Sequence, residues 1–267
     1  MHAALVFLLT ASTLAGLLGG SFLTVLVTRG PYVFGLLEGP PPRGGWSLWG
    51  PRSRCPACLT PLPWTAVLPV IGYLLVRGRC RACGVSVPAL YPLLEAAGAA
   101  LGLLAGLAFV DDLPALVIGL FFLLGLLALG VIDARIGYLP DALTLPLIAL
   151  GLGASAFGVF VSPLQALLGL SIGGGMMLAL TGGYRLLRGR EGLGGGDVKM
   201  VALGGAFLGP FGLPPALLIA SLAALIGTLL SQRSRLRGDT AVKFGPYLAL
   251  GIGAVFLLPS LMTHFAG

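Results

Sequence analysis

Gly192-Leu193-Gly194-Gly195-Gly196-Asp197-Val198-Lys199 separates two long apolar runs, residues 163–187 and the run that starts at Val198. Three consecutive glycines lead into a single carboxylate. Glycine has no Cβ, so the chain bends freely there and another backbone can come close. A carboxylate beside a membrane-length apolar run is costly to keep, which marks Asp197 as a functional residue by default.

Outward from this stretch the chain is almost uniformly apolar. Of 267 residues, 57% are hydrophobic and only 9% are charged, with a mean hydropathy of +1.01. A soluble domain carries roughly 25% charged residues. The expected fold class is therefore an all-α polytopic membrane protein with about eight transmembrane helices and a small cytoplasmic zinc-binding loop domain. The 43 glycines fit helices that associate in lipid through small residues.

The spans fall at residues 3–27, 89–110, 114–132, 142–161, 163–187, 198–208, 214–230 and 247–262. A crossing helix needs about 20 residues, so the sixth is short. No basic region precedes the first apolar run, which is expected to be a retained span and not a cleaved signal peptide. Three parts follow: the first helix (1–27), a polar loop (28–88) and a membrane domain (89–267). Asp112 and Pro114 read as cap and opening turn of the third span.

Charge placement sets the orientation. Loop 28–88 holds Arg29, Arg43, Arg52, Arg54, Arg77, Arg79 and Arg81. Arg135 follows span three, Arg185, Arg188, Arg190 and Lys199 follow span five, and Arg233, Arg235, Arg237 and Lys243 follow span seven. With eight spans every Lys and Arg lies on one side, the cytoplasmic side by the positive-inside rule. The net charge of +7 is then topological, with attraction to anionic membrane lipid, and no nucleic-acid partner is expected.

Cys55-Pro56-Ala57-Cys58 and Cys80-Arg81-Ala82-Cys83 are two CxxC knuckles with residues 59–79 between them. Four thiolates suit tetrahedral zinc. In a reducing cytoplasm disulfides are disfavoured. A closed four-cysteine site leaves no open coordination position, so the expected zinc is structural and lets a short loop fold.

Most of the nine acids have plain readings. Asp111 and Asp112 sit in an outer turn, Glu38 in a loop, and Glu191 and Asp239 among arginines. Glu95, about a turn and a half into span two, is expected to snorkel to the cytoplasmic face. Asp133 closes span three and Asp197 opens span six, so this topology puts both at the cytoplasmic boundary. Two close carboxylates cannot both ionise easily; one keeps a proton and the pair titrates as a unit. Such a pair can activate water and protonate a leaving amine. Asp141, after Pro140, is a rival for Asp133 and also reads as a turn residue leading to a cap. Lys199 reads as a boundary anchor, and Gly173-Gly174-Gly175 as helix packing.

Several motifs then agree. Gly20-Ser21-Phe22-Leu23-Thr24, the two knuckles, Tyr91-Pro92-Leu93-Leu94-Glu95, Ile132-Asp133 through Leu139-Pro140-Asp141-Ala142-Leu143-Thr144, Gly194-Gly195-Gly196-Asp197-Val198-Lys199 and Phe244-Gly245-Pro246-Tyr247 occur in order. The chain resembles the type IV prepilin peptidases, membrane aspartyl proteases of the GxGD kind. The resemblance implies that Asp133 and Asp197 are the catalytic pair, with Gly194, Gly196 and Lys199 supporting the turn. It implies cleavage of the short basic leader of prepilins or type II secretion pseudopilins at the cytoplasmic face of the bacterial inner membrane. It also implies N-methylation of the new N-terminus with S-adenosylmethionine, a use to which the cysteine-bearing loop is tied. No glycine-rich nucleotide fingerprint is present in the loop. The stretch 61–69 lacks the acid and amide common between the knuckles in that family, and Leu90 stands where a basic residue is common. The alternative reading is a polytopic proton- or metal-coupled transporter with a regulatory zinc loop, for which midplane acids and internal repeats are the expected marks.

Overall fold

The computed structural model describes residues 2–37, 47–50, 53–55, 57–189, 194–231 and 243–265. Arg43, Arg52, Arg190, Arg233, Arg235, Arg237, Glu38, Glu191, Gly192, Leu193 and Asp239 lie outside the described residues, as does the side chain of Arg188. Nine helices and no strands are found among the described residues. The chain divides into two units, one up to Val110 and one from Asp111. Helix α4 thus belongs with the first helix, where the sequence reading grouped it with the rest of 89–267.

In the first unit, α1 (His2–Val33) and α4 (Leu90–Ala108) run antiparallel along a seam of small residues. A Cβ on Gly20 would come within 2.5 Å of the Leu94 carbonyl oxygen, and Gly16, Gly98 and Gly102 face backbone in the same way. Backbones in contact through small residues are the usual means of helix association in lipid. Helix α1 continues past the expected end at residue 27. The helix stops just before the left-handed Gly35 (φ 67°), and not at the first charge, Arg29. Leu36 N–H reaches the Pro31 carbonyl and Gly35 N–H the Tyr32 carbonyl, the paired bonds of a Schellman ending.

Between them lie two short helices, α2 (Trp64–Val67) and α3 (Ile71–Leu75), and the two cysteine knuckles. The knuckles repeat one design. Arg54 pairs with Pro61 in one and Arg79 with Ser86 in the other. Cys55 N–H donates to Thr60 and Cys80 N–H to Val85. The fourth residue after each leading cysteine takes a positive φ, Leu59 at 58° and Gly84 at 73°.

The second unit holds α5 (Leu113–Ile136), α6 (Asp141–Ala156), α7 (Pro163–Arg188), α8 (Gly195–Ser231) and α9 (Gly245–Phe265). Asp112 caps α5, accepting from Ala115 N–H at 2.9 Å with Pro114 in the first turn, as its sequence predicts. Ser162 and Gln165 form a reciprocal capping box at the start of α7. Helix α6 ends at Ala156, short of the expected residue 161. Gly158 (φ 69°) and the Val159 N–H to Ala154 carbonyl bond close it with another Schellman turn. Fully buried Phe122, Leu123, Leu126, Leu129, Phe207, Leu203 and Ile252 form the core. The Phe122 and Phe207 rings stack at 3.7 Å, with Phe256 edge-on to both.

Helix α8 contains the expected spans six and seven, but no loop joins them. A single non-helical residue, Gly209 (φ 66°, ψ −176°), breaks it. The two halves fold back on each other: a Cβ on Gly173 of α7 would lie 3.1 Å from Val201 and 2.8 Å from Leu213, one residue on each half. Pro210 then stands at the start of the second half, where a missing N–H costs nothing.

Among the described residues, five helices are long and apolar enough to cross a membrane: α1, α4, α5, α7 and α8. Helix α6 and the stretch Gly245–Leu258 of α9 are shorter apolar helices, so the eight expected crossings exceed what helix length alone establishes. Phe7, Phe121, Leu178 and Leu222 are half or more exposed, a surface suited to lipid and not to water.

Candidate active site

In the second unit the polar ends of three helices meet. Asp133 stands in the last turn of α5 and is 8% exposed; Asp197 stands in the first turn of α8 and is 9% exposed. The two carboxylates lie close enough to repel each other, although 64 positions separate them in the chain. Asp133 Oδ2 accepts from the Gly245 N–H at 3.1 Å, at the opening turn of α9. A helix N-terminus presents unpaired N–H groups and favours a negative charge. Lys243 donates to the carbonyls of Ala134 and Arg135 at 3.0 and 3.1 Å, tying the end of α5 to the segment that starts α9.

The Leu139–Thr144 motif docks this corner onto α8. Leu139 is 2% exposed, and a Cβ on Gly196 would sit 2.9 Å from its side chain. Gly196 is thus needed for close packing beside Asp197, while Gly194 is exposed and accepts the Asp197 N–H at 3.1 Å. Thr144, fully buried, donates to the Pro140 carbonyl. Asp141 is the first residue of α6 and makes no cap; Pro140 holds the cap position. The half-exposed Asp141 carboxylate instead pairs with Lys199, which is therefore held by a carboxylate at this corner. The sequence marks Gly245 only through the Phe244-Gly245-Pro246-Tyr247 motif and Lys243 only as one of the cytoplasmic basic residues; neither signal points to Asp133.

In the first unit the four cysteines converge. Their sulfur atoms all lie within 4.8 Å of one another, with Cys55 to Cys83 at 3.6 Å and Cys58 to Cys80 at 3.9 Å. Zn–S bonds of about 2.3 Å in a tetrahedron put sulfurs about 3.8 Å apart, so the cluster fits zinc. The Thr60 side chain and amide stabilise the Cys58 thiolate and lower its pKa to about 6. At Cys83 the Val85 amide favours the thiolate, but desolvation and the neighbouring sulfurs outweigh it and push it up to about 12.

Against the knuckles lies a cavity of about 230 Å³, bounded by α1, α4 and the segment 60–88. Glu95 lines it and is 8% exposed. It does not snorkel to the surface as expected. Its carboxylate accepts from Ser21 Oγ at 3.0 Å and from the Val70 N–H at 2.6 Å, and these bonds hold it inside.

Two family models match the chain: the bacterial peptidase A24 N-terminal domain over residues 14–109 and the type IV leader peptidase family over residues 120–229. A protein of Burkholderia pseudomallei (strain K96243) is 37% identical over 252 residues, covering 88% of this chain and 81% of its own. One of Stutzerimonas stutzeri is 37% identical over 268 residues, covering 95% and 91%. One of Dickeya chrysanthemi is 38% identical over 268 residues, covering 95% and 93%. Each of the three is named a prepilin leader peptidase/N-methyltransferase. No solved structure matches. With relatives this similar along nearly its whole length, and a family model on each unit, the chain belongs to the type IV leader peptidase family.

Proposed function

We infer that this protein is an inner-membrane endopeptidase that removes the leader from prepilins or pseudopilins and then methylates the new N-terminus. The observation that carries the first activity is the buried, mutually repelling pair Asp133 and Asp197 at the meeting of three helix ends. One acid holds a proton and the other is ionised. The ionised carboxylate takes a proton from water, and the resulting hydroxide attacks the scissile carbonyl. The protonated acid donates to the carbonyl oxygen. When the C–N bond breaks, a carboxyl proton passes to the departing amine.

Supporting roles fall to Gly196, which lets Leu139 pack against the turn, and to Gly194 and Lys199, which hold the turn's shape. We read the topology as eight crossings with both termini outside, counting the halves of α8 separately. This brings all the basic loops and both acids to the cytoplasmic side. The substrate's basic leader then stays in the cytoplasm and its apolar segment in lipid, so no charge is dragged into the hydrocarbon. The relatives' names favour this reading over a transporter.

Methylation belongs to the first unit, where zinc bound by Cys55, Cys58, Cys80 and Cys83 shapes the loop. S-adenosylmethionine supplies an electrophilic methyl group there. The cavity beside the knuckles has mostly apolar walls, suited to the adenine ring, with a few polar groups among them, and Arg54, Arg79 and Arg81 are available to the carboxylate. The test is co-expression with a prepilin. Asp133→Asn and Asp197→Asn are expected to fold and to leave the leader attached; normal processing in either variant overturns the assignment.

A further inference from the structure

Glu95 is a buried carboxylate on a cavity wall, and among the described residues no cation pairs with it. Its two acceptor bonds come from neutral donors, Ser21 and the Val70 amide. A buried charge without a countercharge is expensive, by several kcal/mol on the order of the usual desolvation cost. The fold nevertheless builds the position with care. Gly20 brings α1 so close that a Cβ there would lie 2.9 Å from Glu95 Cα. Val70 is forced to φ 60°, ψ −53°, and the Ile71 N–H bonds back to the Pro69 carbonyl at 2.6 Å. That is a γ-turn of the rare, strained hand, and a β-branched residue at positive φ is an outlier. Strain of this kind costs about 1–3 kcal/mol and persists where surroundings enforce it, most often at functional sites. Here its effect is to aim the Val70 N–H at Glu95.

Two kinds of charged group line the cavity. Arg54, Arg79 and Arg81 come from the cysteine-bearing loop. Glu95 comes from α4, with Ser21 of α1 hydrogen-bonded to it. An anionic group suits the first and a cationic group the second. The cut product offers such a cation, its new α-ammonium, protonated near neutral pH. An apolar segment follows that amine directly, and Glu95 sits in a membrane-length apolar helix.

We propose that Glu95 binds the freed α-amine of the cut product in this cavity and takes the proton that the amine must lose before methyl transfer. The inference rests on the methylation half of the proposed function. The N–H bond breaks with its electron pair left on nitrogen, and the proton goes to a Glu95 oxygen. S-adenosylmethionine supplies the methyl, its C–S bond breaking with the pair left on sulfur as the N–C bond forms. Ser21 and Val70 fix the carboxylate against rotation, so one face stays toward the amine.

The test uses the full-length zinc-loaded protein in detergent, as wild type, Glu95→Gln and Ser21→Ala. Leader removal and N-methylation of a prepilin are read by mass spectrometry, and S-adenosylhomocysteine binding by calorimetry. Binding of the product's N-terminal peptide is compared with its amine free or acetylated. For Glu95→Gln, leader removal and S-adenosylhomocysteine affinity should stay within about twofold, while methylation falls about 10²-fold or more. Its preference for the free amine should vanish. Ser21→Ala, losing one hydrogen bond, should cost about fivefold. Methylation at the wild-type rate by Glu95→Gln, parallel loss of S-adenosylhomocysteine binding, or equal damage from Ser21→Ala would overturn the proposal. If the wild type cuts but does not methylate, the methylation reading fails. The free-versus-acetylated comparison then still decides whether Glu95 holds the amine.

Discussion

Gly245 donates its backbone N–H to the Asp133 carboxylate at 3.1 Å, and a Cβ on Gly245 would lie 2.6 Å from the same oxygen. The opening turn of α9 therefore touches the acid at the end of α5 only because position 245 has no side chain. Gly245→Ala must push the carboxylate or the helix end away. A displacement near 1 Å costs on the order of 10²-fold in rate when a reacting group must be aligned. Gly245→Ala is expected to retain its helical content and to process a co-expressed prepilin about 10²-fold more slowly. Processing near the wild-type rate would mean that Asp133 does not need this contact.

The cysteine cluster makes a prediction about reactivity. Without metal, Cys58 is exposed and its pKa is lowered to about 6, so it is mostly thiolate at neutral pH. Cys83, pushed up to about 12, stays a thiol across the same range. The thiolate is the nucleophile. After zinc is stripped by a chelator, iodoacetamide is expected to label Cys58 first and Cys83 slowly. The Cys58 rate should fall as pH drops through about 6, because the ionised form is favoured above that value and lost below it. Added zinc should suppress labelling at all four positions. Peptide mass spectrometry reads both, and equal labelling with and without zinc would remove the metal site.

Some of this was legible in the chain and some was not, for reasons of distance. Asp112 before Leu113-Pro114 announces its cap because a cap is a local bond. Asp133 and Asp197 were placed at one boundary by the distribution of arginines, a pattern summed over the chain. Glu95 was read as a surface residue because its partners lie 74 and 25 positions away, and nothing near it says that Gly20 would bring Ser21 alongside. The contact of Gly245 with Asp133 is hidden for the same reason, with 112 positions between them. The end of α1 lies beyond residue 27 because polarity alone does not stop a helix. A helix can carry Thr28 and Arg29, whereas the left-handed Gly35 ends it.

The paired knuckles differ at one equivalent position, and that difference is testable. Leu59 and Gly84 both take positive φ, but only glycine does so without strain. Leu59 is 39% exposed, so little burial is lost by removing its side chain. Leu59→Gly is expected to stabilise the zinc-bound loop by about 1 kcal/mol, and Gly84→Val to destabilise it by about as much or more. Competition with a chromogenic chelator would show tighter zinc in the first variant and weaker zinc in the second. Weaker zinc in Leu59→Gly would mean that the leucine side chain does more than its exposure suggests.

Gly209 supports the least expected feature of the second unit. Unbroken, the 37 residues of α8 would extend about 55 Å, well beyond a hydrocarbon layer of about 30 Å. The break at Gly209 divides them into halves of about 21 and about 33 Å and reverses the direction of the chain. The conformation there, φ 66° and ψ −176°, is open almost only to glycine and costs other residues about 1–3 kcal/mol. Gly209→Ala is expected to lower the thermal midpoint in detergent and to reduce leader removal with it. The reversal holds Val201 and Leu213 against α7, and so sets the tilt of the segment that carries Asp197. Gly153→Ala in α6 is the comparison, since that glycine is helical and nothing lies within 4 Å of the added Cβ. If Gly209→Ala is no more damaging than Gly153→Ala, the turn does not depend on the left-handed glycine.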